Sequence, residues 1–132
     1  MIRSFNPDGI SPPASNYAHG VAVPEGARWL SISGQIGIRP DGSVAEGFEA
    51  QLRQCFDNLL VVLRADGMDI PDIVKLTIFV TPHGPDVVTA YRDIRDEYMG
   101  AHSPTATYFG VTSLASDALL CEVEALAAKS AS

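Results

Sequence analysis

Ile73-Val74-Lys75-Leu76-Thr77-Ile78-Phe79-Val80 is rich in β-branched residues, and at a period of two Val74, Leu76, Ile78 and Val80 fall on one wholly apolar face. A strand of that composition belongs near the centre of a sheet. Upstream, between Glu46 and Ala65, the apolar residues Phe48, Leu52, Cys55, Phe56, Leu59, Leu60 and Leu63 recur at helical spacing and predict a helix with one buried stripe. Ser43 and Glu46 have the spacing of a capping box near its start, and Gly67 suits the left-handed residue that ends many helices. Downstream, Pro85 stands where a first helical residue would. Val87, Val88, Tyr91, Ile94 and Tyr98 follow at helical spacing before Gly100 stops the helix. The strand is thus flanked by two amphipathic helices.

Further out, Ala27-Arg28-Trp29-Leu30-Ser31-Ile32-Ser33 alternates as a strand that ends at Gly34, and Pro40-Asp41-Gly42 supplies the chemistry of a reversal. The first 26 residues hold four of the nine prolines and read as a loop followed by short extended segments, with two short strands expected within Ser15 to Val23. Thr105 to Val111 and Leu119 to Ala127 read as the last two strands, and Lys129 to Ser132 as a frayed tail. The order strand, strand, helix, strand, helix, strand, strand is an α+β arrangement with a mixed sheet and both helices on one face. No amphipathic element remains to cover the other face. Exposing several strands' worth of apolar residues costs roughly 25 cal/mol per Å², so that face is expected to pack against identical subunits.

The chain has 132 residues, enough for one domain spanning 1–132, and is 46% apolar and 19% charged. Nine Lys plus Arg against sixteen Asp plus Glu give a formal charge of -7, which offers no basic field for nucleic acid phosphates or anionic lipid. The longest aliphatic run, Leu59 to Leu63, is far short of the roughly 20 residues that cross a bilayer. The N-terminal residues show no apolar signal region, and a cytoplasmic location is expected. Cys55 and Cys121 are too few for a disulfide framework and are expected to be reduced core residues.

No Walker loop, Gly-x-Ser-x-Gly, Cys-x-x-Cys or His-Glu-x-x-His is present. His19, His83 and His102 are scattered, with no partner at ligand spacing. They read as exposed loop residues, and neither a metal nor a cofactor is expected. The last strand carries the most unusual chemistry, since Leu120, Glu122, Glu124 and Leu126 share its second face. Residues two apart on a strand lie roughly 6.5 to 7 Å apart, so the carboxylates repel, and a half-buried one would have its pKa raised toward the acid/base range. The alternative is a solvated face. Arg95 falls inside the apolar stripe of the second helix and Arg92 borders it. A guanidinium there pairs with a carboxylate, lies along the stripe with its head in water, or reaches an anionic ligand at a subunit boundary.

These residues resemble the Rid (YjgF) family of reactive-intermediate deaminases over nearly the whole chain. The resemblance rests on Pro13-Ala14-Ser15-Asn16-Tyr17-Ala18-His19-Gly20-Val21, Ser33-Gly34-Gln35, Gln51-Leu52-Arg53-Gln54-Cys55-Phe56-Asp57-Asn58, the strand from Asp72 to Val80, and Glu122-Val123-Glu124-Ala125-Leu126-Ala127. It implies a chorismate-mutase-like fold, a homotrimer, and a small-molecule site in the cleft between subunits. By the same resemblance Tyr17 matches a cleft tyrosine, Ser33 and Gly34 match strand-end contacts, and Glu124 matches the glutamate that positions the attacking water. The family's Pro-x-Arg is replaced by Pro104-Thr105-Ala106, so the usual carboxylate anchor is missing. Ala106, Thr107 and Tyr108 would line a cleft of altered shape, with Tyr108 where the deaminases often carry a Cys. Arg92 or Arg95 would supply the lost charge. The expected function is hydrolysis of a small imine, enamine or related metabolite by Glu-assisted water attack. The alternative is a non-catalytic trimeric small-ligand-binding or regulatory protein of the same fold. Ribonuclease activity, attached to some members, is opposed by the net charge and the absence of a His pair.

Overall fold

In the structure, a computed structural model that describes residues 1–131, the elements follow in the order β1 (Arg3–Phe5), β2 (Gly20–Ala22), β3 (Arg28–Ile36), α1 (Phe48–Ala65), a 3-10 turn (Ile70–Asp72), β4 (Ile73–Val80), α2 (Pro85–Met99), β5 (Thr105–Gly110) and β6 (Cys121–Lys129). The principal sheet has four strands in the order β3-β6-β4-β5. The last strand β6 inserts antiparallel between β3 and β4, while β5 runs parallel to β4 and is reached through the crossover helix α2. The sheet is therefore mixed, as expected, and β3 and β5 are its two edges.

Both helices cover one face. Leu52, Cys55, Phe56, Leu59 and Leu63 of α1 pack with Ile73, Leu76, Ile78 and Val80 of β4 and with Cys121, Val123, Ala125 and Ala127 of β6, all of them buried. Each large aliphatic side chain removed from water in this way stabilises the fold by roughly 1.5–3 kcal/mol. The sulfurs of Cys55 and Cys121 lie 3.9 Å apart within this core as free thiols. That contact, followed by burial, pushes the Cys55 thiol far above its ordinary value.

Several boundaries differ from expectation. The two short strands expected within Ser15–Val23 reduce to β2, whose partner is β1. β1 went unread because three residues carry no period. β3 does not end at Gly34 but continues to Ile36 past a register irregularity between Ile32 and Gln35. At α1, the expected capping box is absent. Gly47 is the N-cap with no side-chain cap bond, and Ser43 instead donates from N and Oγ to Asp41 Oδ1 at 2.9 and 2.6 Å, inside the reversal. Asp and Ser at such spacing serve a turn as readily as a helix start. Gly67 has the left-handed φ of 74° that was expected of it. The last strands begin and end within two residues of the expected positions, and β6 runs on to Lys129 in place of the expected fraying there; Ser132 lies outside the described residues. His19 and His102 are half-buried and structural: their Nε2 atoms lie 2.7 Å from the carbonyls of Ser11 and Ile73.

Candidate functional site

At the free edge of β5, between that strand and α2, lies a cavity of about 300 Å³ lined by Ser15, Tyr17, Val88, Tyr91, Arg92, Arg95, Ala106, Thr107 and Tyr108. Three segments build it. The loop from Ser11 to His19 is tied down by Ala18 N donating to the carbonyl of Pro104 at 3.0 Å and by His19 N donating to Asn6 Oδ1 at 2.8 Å. This brings Ser15 and Tyr17 over the start of β5. The helix α2 presents Val88, Tyr91, Arg92 and Arg95, which share one face because residues three and four apart on a helix are neighbours. On β5, Ala106 and Tyr108 point toward the helices and Thr107 toward the opposite face, as strand alternation requires.

Arg95 is the most constrained of these residues. It is 2% exposed, and its Nε and Nη2 donate to Asp96 Oδ1 at 3.1 and 3.0 Å while Nη1 donates to Ser15 Oγ at 3.3 Å. Its guanidinium carbon lies 5.2 Å from the centre of the Tyr91 ring, within the range of a cation–π contact. Of the three expected environments for this side chain, the structure combines pairing with a carboxylate and placement at a cavity. Arg92 is exposed and makes no ion pair among the described residues. The Tyr91 and Tyr108 rings approach to 5.1 Å. Burial raises the pKa of both phenols, so each stays protonated as a donor at neutral pH. The Tyr91 hydroxyl is buried and has no hydrogen-bond partner. Leaving such a group unpaired costs about 1–3 kcal/mol. Tyr91, singled out in the sequence only as part of an apolar stripe, is thus a cavity residue. The signal that it belongs with Arg95 was their spacing of four on one helix.

The remaining candidates lie elsewhere. Ser33, Gly34, Glu122 and Glu124 are on or beside the uncovered face of the sheet. Glu122 is half-buried, and a Cβ placed on Gly34 would stand 1.9 Å from its Oε2, so the carboxylate rests directly on the glycine backbone at the β3 irregularity. Glu124 is exposed, opposite Thr77, which is itself opposite Thr107. Two strand spacings, roughly 10 Å, therefore separate Glu124 from the cavity's Thr107. Tyr17, Arg92, Arg95, Ala106, Thr107 and Tyr108 are brought together; Ser33, Gly34 and the two glutamates form a second group. No cluster of His, Cys, Asp and Glu suited to a metal ion occurs among the described residues, and no helix is long and apolar enough to cross a membrane.

A two-helix layer on a mixed four-stranded sheet, with an aromatic and basic cavity at one sheet edge, defines a class of small α+β domains shared with proteins of the Rid family. Residues 9–129 match the family described as endoribonuclease L-PSP, and the chain belongs to that family. A solved structure from Yersinia pestis, YyfB, described as a conserved Rid family protein of unknown function, superposes with a TM-score of 0.87 at 33% identity, covering 96% of this chain and 97% of that one. TdcF of Escherichia coli, whose name marks it as a candidate reactive intermediate deaminase, is 33% identical over 129 residues, 95% of this chain and 92% of TdcF. A crystal structure of TdcF with bound serine superposes with a TM-score of 0.68 at 30% identity, covering 95% and 94% of the two chains. A RutC family protein of Aquifex aeolicus is 41% identical over 70 residues, 52% of this chain. That match spans only about half the relative's length, 54%.

Proposed function

We propose that the protein is a Rid-type hydrolase that deaminates a small imine or enamine. The reading rests on one observation above the others: a buried, pre-oriented Arg95 beside an open cavity whose remaining polar side chains are hydroxyls and a second arginine. Such a lining offers donors and no carboxylate, which suits a substrate bearing an anionic or carbonyl group. Names of deaminases among the relatives support the same class of reaction.

In the reaction, water oxygen adds to the imine carbon, a carboxylate takes a water proton, and the nitrogen is protonated as the carbon becomes tetrahedral. Return of a proton to nitrogen expels ammonia and leaves a carbonyl. An enamine first takes a proton at carbon to become the imine. The resemblance assigns the carboxylate role to Glu124, but the local geometry favours Glu122, which is half-buried and held against Gly34 beside Ser33. Neither glutamate lines the cavity of its own chain. A second copy packed on the uncovered sheet face would bring its Ser33-Gly34-Glu122 group to this cavity, and the exposed Trp29, Phe109 and Leu126 support such packing. The homotrimer implied by the resemblance is the assembly proposed, with the ligand in the intersubunit cleft.

The test is release of ammonia or keto acid in a coupled assay that generates 2-aminoacrylate and larger amino-acid imines. Wild-type protein should accelerate release. Glu122→Gln should lower it by about 10²–10⁴-fold, the usual range for loss of a general base, and Glu124→Gln by much less. Loss confined to Glu124→Gln returns the role to that residue, and no acceleration by wild type on any imine sinks the deaminase reading.

A further inference from the structure

The cavity's polar lining is one-sided. Tyr91, held above its ordinary pKa by burial, keeps a proton to donate, yet its hydroxyl has no partner. Arg95 beside it carries five N–H groups. Those directed to Asp96 and Ser15 leave others unused. A guanidinium cannot accept a hydrogen bond, so Arg95 cannot satisfy the Tyr91 proton. Ser15 and Thr107 contribute hydroxyls, Arg92 contributes an unpaired charge at the exposed rim, and no Asp, Glu or His lines the cavity. The body of the cavity, in contrast, is made of the Tyr17, Tyr91 and Tyr108 rings with Val88 and the single methyl of Ala106. About 300 Å³ bounded this way exceeds what a three-carbon acid fills.

We infer that Tyr91 and Arg95 together form the acceptor-binding end of this cavity, and that its ligand is a monocarboxylate with a planar aryl body rather than a three- or four-carbon acid. The carboxylate takes the spare guanidinium N–H groups and the Tyr91 proton, and the aryl group lies between the Tyr108 ring, Val88 and Ala106. The inference rests on the deaminase reading only in calling this ligand substrate or product; the binding itself does not depend on turnover.

The experiment is calorimetric titration of the full-length protein with phenylpyruvate, pyruvate and phenylacetamide, repeated with Tyr91→Phe and Arg95→Lys and accompanied by thermal unfolding of each variant. Phenylpyruvate should bind at least tenfold more tightly than pyruvate and than the uncharged amide. Tyr91→Phe removes a hydroxyl that has no partner in the free protein, so it should leave the melting temperature unchanged or raised while weakening phenylpyruvate about tenfold. Arg95→Lys keeps the charge but loses the planar fork and should weaken phenylpyruvate while affecting phenylacetamide little. A Tyr91→Phe variant that melts lower and binds phenylpyruvate as wild type does would show the hydroxyl to be structural and overturn the assignment. Pyruvate or phenylacetamide binding as tightly as phenylpyruvate would overturn the ligand class. Ammonia release failing while phenylpyruvate binds as stated would sink the deaminase reading and leave this inference standing.

Discussion

Gly34 lacks a side chain at a point where one would collide with Glu122: its Cβ would meet the carboxylate oxygen at 1.9 Å and the carboxyl carbon at 2.7 Å. The obstructing atoms are the far end of a flexible side chain, so Gly34→Ala should be accommodated by Glu122 swinging away, with little loss of melting temperature. Displacement of a reacting group by about 1 Å costs on the order of 10²-fold in rate. Ammonia release by Gly34→Ala is therefore expected to fall by about that factor while thermal unfolding stays within a few degrees of wild type. Unchanged turnover would detach the position of Glu122 from the chemistry. At this scale the sequence showed two equivalent glutamates on one strand face, and only the irregularity in β3 distinguishes them, by putting a glycine under one.

The helices are joined to each other as well as to the sheet. Phe56 of α1 stacks on Tyr98 of α2 at 5.0 Å, Arg53 pairs with Glu97, and the Tyr98 hydroxyl donates to Asp57 Oδ1 at 2.7 Å, with the Arg53 carbonyl 3.1 Å away. Burial and the neighbouring Asp57 carboxylate push the Tyr98 phenol from 10.0 up to about 12. Because the folded value lies above the unfolded one, this stabilisation is present in full below pH 10 and is lost as pH rises through about 12. Tyr91 and Tyr108, also raised by burial, act in the same direction. Urea unfolding at pH 8 and at pH 11 should show lower stability at the higher pH, and Tyr98→Phe should reduce that difference while lowering stability at pH 8. An equal difference in the variant would exclude Tyr98 as a source. The existence of both helices was legible from their apolar periods, as was the central strand between them. The N-terminus of α1 was not, because Gly47 begins it without a side-chain cap.

The whole molecule leaves one sheet face without cover. Trp29 is 54%, Phe109 45% and Leu126 38% exposed there, on three different strands. Burial of these side chains against a second copy is the packing proposed above, and it is what would unite the two halves of the site. A carboxylate at Leu126 would oppose that burial. Leu126→Glu is accordingly expected to shift wild-type oligomer to monomer in size-exclusion chromatography with light scattering, with unchanged far-ultraviolet circular dichroism and with ammonia release lost. A wild-type protein that is monomeric at micromolar concentration would remove the shared-site reading.

The sequence by itself determined the α+β class, the helices α1 and α2, the strand β4 and the burial of the two cysteines, because these follow from periods of 3.6 and 2 within one contiguous segment. It also put Arg95 in an apolar stripe, where a guanidinium is anomalous. Tertiary structure alone decided which residues meet. β1 and β2 pair across the loop between them, Ser15 and Tyr17 reach α2 through a loop held to Pro104, and Ala106 and Tyr108 close a cavity against Tyr91 and Arg95. It also put both glutamates on the other side of the sheet from Arg95. These are contacts between segments distant in the chain, set by how the helices seat on the sheet, and no local pattern encodes them.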